Sequence, residues 1–167
     1  MKYNIEYPTA EDLVRMEKVA IDVFGVPDKN MVAPSPENDL KLICIDKNTF
    51  VCFKENNEPI AWSLVMPTSR VNADKFLSEE INEKVIFEDS TKNHSFESLY
   101  LFVAIVMPEY RRKGLATELM SYQVKYFRDK YNIKDYYAWT FSKEGEILIK
   151  AIEKANNVSV RYIRKKY

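Results

Sequence analysis

The chain has 167 residues, 46% hydrophobic and 30% charged, with 25 Lys and Arg set against 25 Asp and Glu; one domain around a single core is the expectation. Its longest apolar run, residues 99–107, is nine residues long, whereas a membrane helix needs about 20, and MKYNIEYPTAEDL lacks the apolar core of a signal peptide. The neutral sum conceals a split: residues 1–110 hold 11 cations and 19 carboxylates, residues 111–167 hold 14 and 6. That distribution suits either a plain solvated surface or two ligands of opposite sign, an anion on the C-terminal part and a cation on the other.

In chain order, YNIEY reads as a short strand. Thr9 with Asp12 three residues on has the form of a capping box and starts a helix to about Phe24. Leu13, Met16, Val19, Ala20, Val23 and Phe24 fall on one face of it. GVPDKNMVAPSPEND, with three prolines, is a loop, and a short helix follows from Asp39 to about Asp46. TFVCFKENNEPIAWSLVMP reads as two strands joined by the turn Asn56-Asn57-Glu58-Pro59. Residues 72–88 form a charged helix-like insert and residues 89–96 are polar. ESLYLFVAIV is the most apolar strand and belongs at the centre of a sheet covered on both faces. Leu115, Leu119, Tyr122 and Tyr126 recur at helical spacing between about Lys113 and Lys130. DYYAWTF is another strand, GEILIKAIEKAN another helix and VSVRYIRK a last strand. This order predicts a single α/β domain over residues 1–167, a mixed central sheet layered with helices on both faces. Cys44 and Cys52 form neither a C-x-x-C pair nor a metal-like cluster, so both are expected reduced, as in the cytoplasm.

The stretch MPEYRRKGLATELM, residues 107–120, joins the apolar strand to the next helix and contains one of only three glycines. The first N–H groups of a helix have no partner within it, and the helix dipole adds partial positive charge there. Gly114 lets an anion approach that backbone, and Arg111, Arg112 and Lys113 surround the point with charge. The pattern is that of a phosphate cradle. A Walker-type G-x-x-x-x-G-K-[ST] loop is absent, and Gly25, Gly114 and Gly145 are too scattered for a G-x-G-x-x-G fingerprint.

The remaining pattern, R-x-x-G-x-A at residues 111–116 behind a V-x-P strand exit, resembles the pyrophosphate signature of the GNAT acyltransferase superfamily, [QR]-x-x-G-x-[GA]. AIVMPEYRRKGLATELM is similar to that family's fourth strand, loop and helix over its whole length, and the order of elements across the chain is similar too. The resemblance implies the GNAT fold, with acetyl-coenzyme A as co-substrate and no metal. It also implies that Arg111, Arg112, Lys113, Gly114, Leu115, Ala116 and Thr117 line the pyrophosphate. Ala104, Ile105 and Val106 would pair with the pantetheine arm like an added strand. The activity implied is transfer of the acetyl group to a primary amine of a small molecule or peptide, by direct attack in a ternary complex.

Three departures from the family pattern stand out. Ile152 occupies the place where the family has a tyrosine that protonates the departing thiolate, and the helix GEILIKAIEKAN contains no tyrosine. Tyr137 is one substitute, against the reading of a core tyrosine. Glu97, at the start of the apolar strand, is the first choice of base, against a solvated strand end, and His94 in STKNHSFE is a further proton carrier. The second departure is the insert at residues 69–97, which holds more carboxylates than cations and would form an acidic wall favouring a cationic amine. The third is the C-terminus, where a single strand stands in place of two, so a homodimer could complete the sheet. Two other readings remain: a catalytically inactive coenzyme A-binding module, and nucleic-acid binding through RYIRKKY. Neither nucleic acid nor membrane is an expected partner.

Overall fold

The computed structural model describes residues 3–25, 29–92 and 95–164. Helix α1 is Ala10–Phe24, and Thr9 and Asp12 form the expected capping box at its start. Helix α2 is Pro36–Ile45, three residues earlier than expected, because Ser35 caps the Asn38 N–H and Pro36 takes the first helical position. Strands β1 (Phe50–Glu55) and β2 (Glu58–Thr68) make a hairpin. Asn56 and Asn57 turn the chain there, both at positive φ (52° and 64°), the conformation of a tight turn matched to strand twist.

The charged insert is two helices, α3 (Arg70–Leu77) and α4 (Glu83–Lys92). Glu79, at φ 62°, breaks them apart. Strand β3 is Ser98–Val106, helix α5 is Leu115–Tyr131, strand β4 is Asp135–Thr140, helix α6 is Lys143–Asn156 and strand β5 is Val160–Arg164. Strands lie in chain order β1-β2-β3-β4-β5, antiparallel through β3 and parallel from β3 to β5. Each parallel step crosses over through a helix, α5 or α6, as parallel neighbours require.

Period-two alternation assigns the faces. Tyr100, Tyr137, Trp62 and Phe50 pack under α1 to α4, while Leu99, Leu101, Tyr136 and Ala138 pack under α5 and α6. Strand β3 is therefore central and covered on both sides. YNIEY is not a strand: among the described residues its pairing is a single bridge between Glu6 and Cys52. The cysteines differ from one another, Cys44 exposed and Cys52 buried. Among the described residues no helix is long and apolar enough to cross a membrane.

Candidate functional site

Strands β3 and β4 pair only where residues 98–101 face residues 135–138. Beyond that point β3 continues to Val106, while β4 stays paired with β5 as far as Thr140 opposite Arg164. The sheet thus splits between two neighbouring strands. A bulge in β3 marks the split: Leu101 faces Val65 and Val103 faces Leu64, leaving Phe102 without an opposite residue. Bulges bend a strand and increase its twist, which here carries the end of β3 away from β4.

Met107 N–H donates to the Ile60 carbonyl at 2.9 Å. Hydrogen-bonded positions alternate along an antiparallel pair, so Ile105 and Val103 also turn their polar backbone groups to β2. Ala104 and Val106 turn theirs to the opening. Arg111 Nε donates to the Val106 carbonyl at 3.1 Å.

A cavity of about 880 Å³ fills the split, and its walls come from both faces of the sheet. On the α5–α6 side stand Gly114, Leu115, Ala116, Thr117, Gly145 and Leu148. Gly114 is left-handed (φ 80°, ψ 3°) and caps α5 with no side-chain hydrogen bond. Helices α1, α2, α3 and α6 each have a Ser or Thr hydroxyl in that role. The first bond within α5 runs from Glu118 N–H to the Gly114 carbonyl, so the N–H groups of Leu115, Ala116 and Thr117 precede the helical ladder. Arg112, also at positive φ (61°), adds a second left-handed residue to the same loop. A Cβ added at Gly114 would meet nothing within 4 Å; the glycine serves the backbone twist and keeps the cradle open.

The loop is held from β1. Tyr110 donates to Glu55 Oε2 at 2.6 Å, and Tyr3 donates to Glu55 Oε1 at 2.9 Å. The hydrogen bond to Glu55 pushes the Tyr110 phenol up to about 12. Lys113 Nζ donates to the Glu109 carbonyl at 3.1 Å and lies 5.0 Å from the Tyr110 ring centre.

Across the sheet the wall is apolar and aromatic, built from Phe50, Trp62, Phe87, Phe102, Met16 and Leu42, with three carboxylates from α1, α2 and α4. Glu83 is buried and committed, accepting from Val32 N–H at 2.9 Å and from the Tyr100 hydroxyl at 2.8 Å. Glu17 and Asp39 are half-buried. Burial, and then the negative charge of Glu17, pushes the Asp39 carboxyl up to about 7. The cations in the cavity wall, Arg111 and Arg112, stand on the loop before α5. The charge split visible along the sequence therefore becomes a polarity within one cavity.

The structure gathers Ala104, Ile105, Val106, Arg111, Arg112, Gly114, Leu115, Ala116 and Thr117 around this cavity, while Lys113 bonds back onto its own loop. Glu97 lies elsewhere. It is exposed before the first residue of β3 and accepts from Arg70 N–H at 3.3 Å, at the start of α3. At about 3.3 Å per residue the bulge is some 16 Å away along the strand. Tyr137 is fully buried on the α3 side, its hydroxyl 2.9 Å from Thr68 Oγ1 and its ring stacked on Tyr100. It is not part of the cavity wall, and burial pushes its phenol far upward. Ile152 is buried in the core beneath α6. His94 lies outside the described residues. Sequence reasoning missed Glu17 and Asp39. Their signal was weak: Glu17 borders the apolar face of α1, and Asp39 stands three residues before the buried Leu42.

Comparison with known proteins agrees with this architecture. No curated protein matches the chain significantly. Among solved structures, a polyamine N-acetyltransferase from Drosophila melanogaster is 12% identical with a TM-score of 0.58, covering 88% of this chain and 80% of its own. Arabidopsis thaliana NAA60 in complex with acetyl-CoA is 16% identical with a TM-score of 0.54, covering 91% and 82%. The GphF GNAT-like decarboxylase in complex with isobutyryl-CoA is 10% identical with a TM-score of 0.56, covering 94% and 73%. Identities this low establish the shared fold, and that fold houses more than one chemistry. The family model for acetyltransferases of the GNAT type matches residues 23–157, a span running from the end of α1 through the strand split and the α5 cradle to α6, and the chain belongs to that family.

Proposed function

We propose that this chain transfers the acetyl group of acetyl-coenzyme A to a primary amine, by direct attack with both substrates in the cavity. The supporting observation is the opening between β3 and β4, which joins the unpaired N–H groups at the start of α5 to a chamber bearing carboxylates. The residues present fit the cofactor. An open concavity at Gly114 with Arg111 and Arg112 beside it suits a diphosphate. The backbone groups of Ala104 and the N–H of Val106, which face the opening, suit an extended amide-bearing arm, the Val106 carbonyl already accepting from Arg111. When bound, acetyl-coenzyme A supplies an acetyl thioester.

The chain's residues then have separable tasks. The N–H groups of Leu115, Ala116 and Thr117 fix the diphosphate, and the β3 edge guides the thioester to the bulge at Phe102. An alkylammonium near pKa about 10 must lose a proton before its nitrogen can attack. Asp39, whose carboxyl sits at about 7, is the cavity group suited to take it. A C–N bond forms as the C–S bond breaks. Of the two protons the ammonium loses overall, one ends on the departing thiolate and one passes through Asp39 to solvent. With Ile152 in the core, water relays the first of these to the thiolate.

The test is calorimetry with acetyl-coenzyme A, followed by thiol release over a panel of amines. Binding with turnover supports the reading; absence of heat with either the acetylated or the free cofactor overturns it.

A further inference from the structure

The chamber on the α1–α2 side has a chemistry of its own. Phe50, Trp62, Phe87 and Phe102 form much of its wall, and its polar side chains are few. Among the described residues, four carboxylates line the whole cavity. Glu83 is already bonded by Val32 N–H and Tyr100, and Glu144 is exposed at the start of α6, on the cofactor side. Glu17 and Asp39 remain. They stand close enough for the charge of one to raise the other, and among the described residues neither has an ion pair or a side-chain hydrogen bond. The charge acting on Asp39 is that of Glu17 on α1, and Glu83 on α4 lines the same cavity. Lys41 on its own helix is exposed and paired with Glu37, and Arg111 and Arg112 belong to the cofactor loop.

Resting on the acetyltransferase reading, we propose that the acceptor is a hydrophobic primary amine. Its ammonium sits between Glu17 and Asp39, and its aromatic or branched apolar body lies against Phe50, Trp62, Phe87 and Phe102. One ammonium satisfies both carboxylates and relieves their mutual repulsion. A polyamine would place its second and third ammonium groups against aromatic walls, losing water with no carboxylate to replace it. A small polar amine would leave the walls unfilled, forgoing the apolar burial that an aryl group gains.

The experiment measures thiol release at saturating acetyl-coenzyme A with 2-phenylethylamine, tryptamine, ethanolamine, putrescine and spermidine. Calorimetric binding of acetyl-coenzyme A is measured on the same protein. Filling the chamber with one aryl group should raise kcat/KM for 2-phenylethylamine about 50-fold over ethanolamine, and putrescine and spermidine should fall below both aryl amines. Asp39→Asn should lower kcat/KM for 2-phenylethylamine at least about tenfold, through kcat as the base is lost as well as through KM, and Glu17→Gln at least about tenfold mainly through KM, both at unchanged affinity for acetyl-coenzyme A. Below about pH 7 Asp39 takes up a proton and loses the charge that holds the ammonium, so wild-type kcat/KM falls on the acid side. In Glu17→Gln the neighbouring charge is gone and that fall moves to lower pH, a shift that a merely structural role would not produce. Glu17 lies on a partly exposed helix face, so this variant keeps the test readable if Asp39→Asn folds poorly.

Preference for ethanolamine or spermidine, or variants with unchanged kcat/KM, overturns this assignment while turnover itself leaves the acetyltransferase reading standing. Binding of acetyl-coenzyme A without turnover of any amine overturns both the assignment and the transfer reaction. Absence of binding removes the cradle as well.

Discussion

Replacing Gly114 with alanine separates the cradle's function from its contribution to folding. Gly114 has φ 80° and ψ 3°, where an L-residue costs about 1–2 kcal/mol. A Cβ there meets nothing within 4 Å, so no steric cost adds to that strain. For a domain of this size the penalty lowers Tm by about 2–8 °C. The same methyl group stands in the cavity wall, where a diphosphate would otherwise touch the backbone. Losing one charge-assisted hydrogen bond of about 1.5–3 kcal/mol weakens acetyl-coenzyme A binding about 10-fold to 150-fold. Gly25 provides a matched control. It also has positive φ (74°, with ψ −166°) and open space at Cβ, in a backbone region nearly reserved for glycine that costs about 1–3 kcal/mol. It is not in the cavity wall. Gly25→Ala should therefore lose at least as much stability and keep wild-type affinity. Calorimetry for Kd and thermal melts for Tm read the two effects separately. If Gly114→Ala binds acetyl-coenzyme A as tightly as the wild type, the diphosphate is not held by this helix start.

Tyr110→Phe removes the 2.6 Å bond to Glu55 and unties the loop from β1; affinity for acetyl-coenzyme A should fall several-fold in calorimetry, and an unchanged Kd would refute a positioning role for this bond. Glu97→Gln should leave kcat and KM within about twofold of wild type, because the side chain is exposed and caps α3; a large loss of kcat would return the base role to it. Asp46 predicts an acid-side instability. Burial raises its carboxyl, but bonds from Lys130, Asn48 and Tyr131 outweigh burial and hold it at about 2, below its ordinary 3.8. A depressed carboxylate stabilises the fold above its unfolded pKa, and that stability is lost as pH falls from about 4 to about 2. Asp46→Asn should flatten the pH dependence of Tm in that window.

Elements with strong local signals were legible in the sequence. The Thr9–Asp12 capping box, the Asn-Asn turn and the apolar run of β3 each depend on nearby residues, and each forms where expected. The signature loop was legible for the same reason: its backbone geometry follows from Gly114 and the strand and helix on either side. What failed was non-local. YNIEY has strand-like alternation, but Glu6 finds only Cys52 to pair with. Glu97 stands at the start of the apolar strand, but side chains at the two ends of an extended strand are far apart, and the split opens at the other end. Glu17 and Asp39 are distant in sequence and meet only because α1 packs against α2. No periodicity announces such a pair.

The cavity draws on one physical resource twice. A continuous sheet would bond the Ala104 and Val106 backbone groups to β4, and a side-chain cap would occupy the N–H groups at the start of α5. Neither happens, and both sets face the same space. Backbone groups are costly when buried dry and unpaired; the Val106 carbonyl already accepts from Arg111, and on the proposed reading the cofactor bonds the remaining strand-edge and helix-start groups together. Arg111 ties the two parts, extending from the loop to the Val106 carbonyl. Beyond the strand edge the surroundings change to aromatic rings and three carboxylates, of which Glu83 is already bonded. On the proposed reading, a molecule filling the whole path is anionic at one end and meets a cationic, apolar partner at the other, and the two join at the bulge.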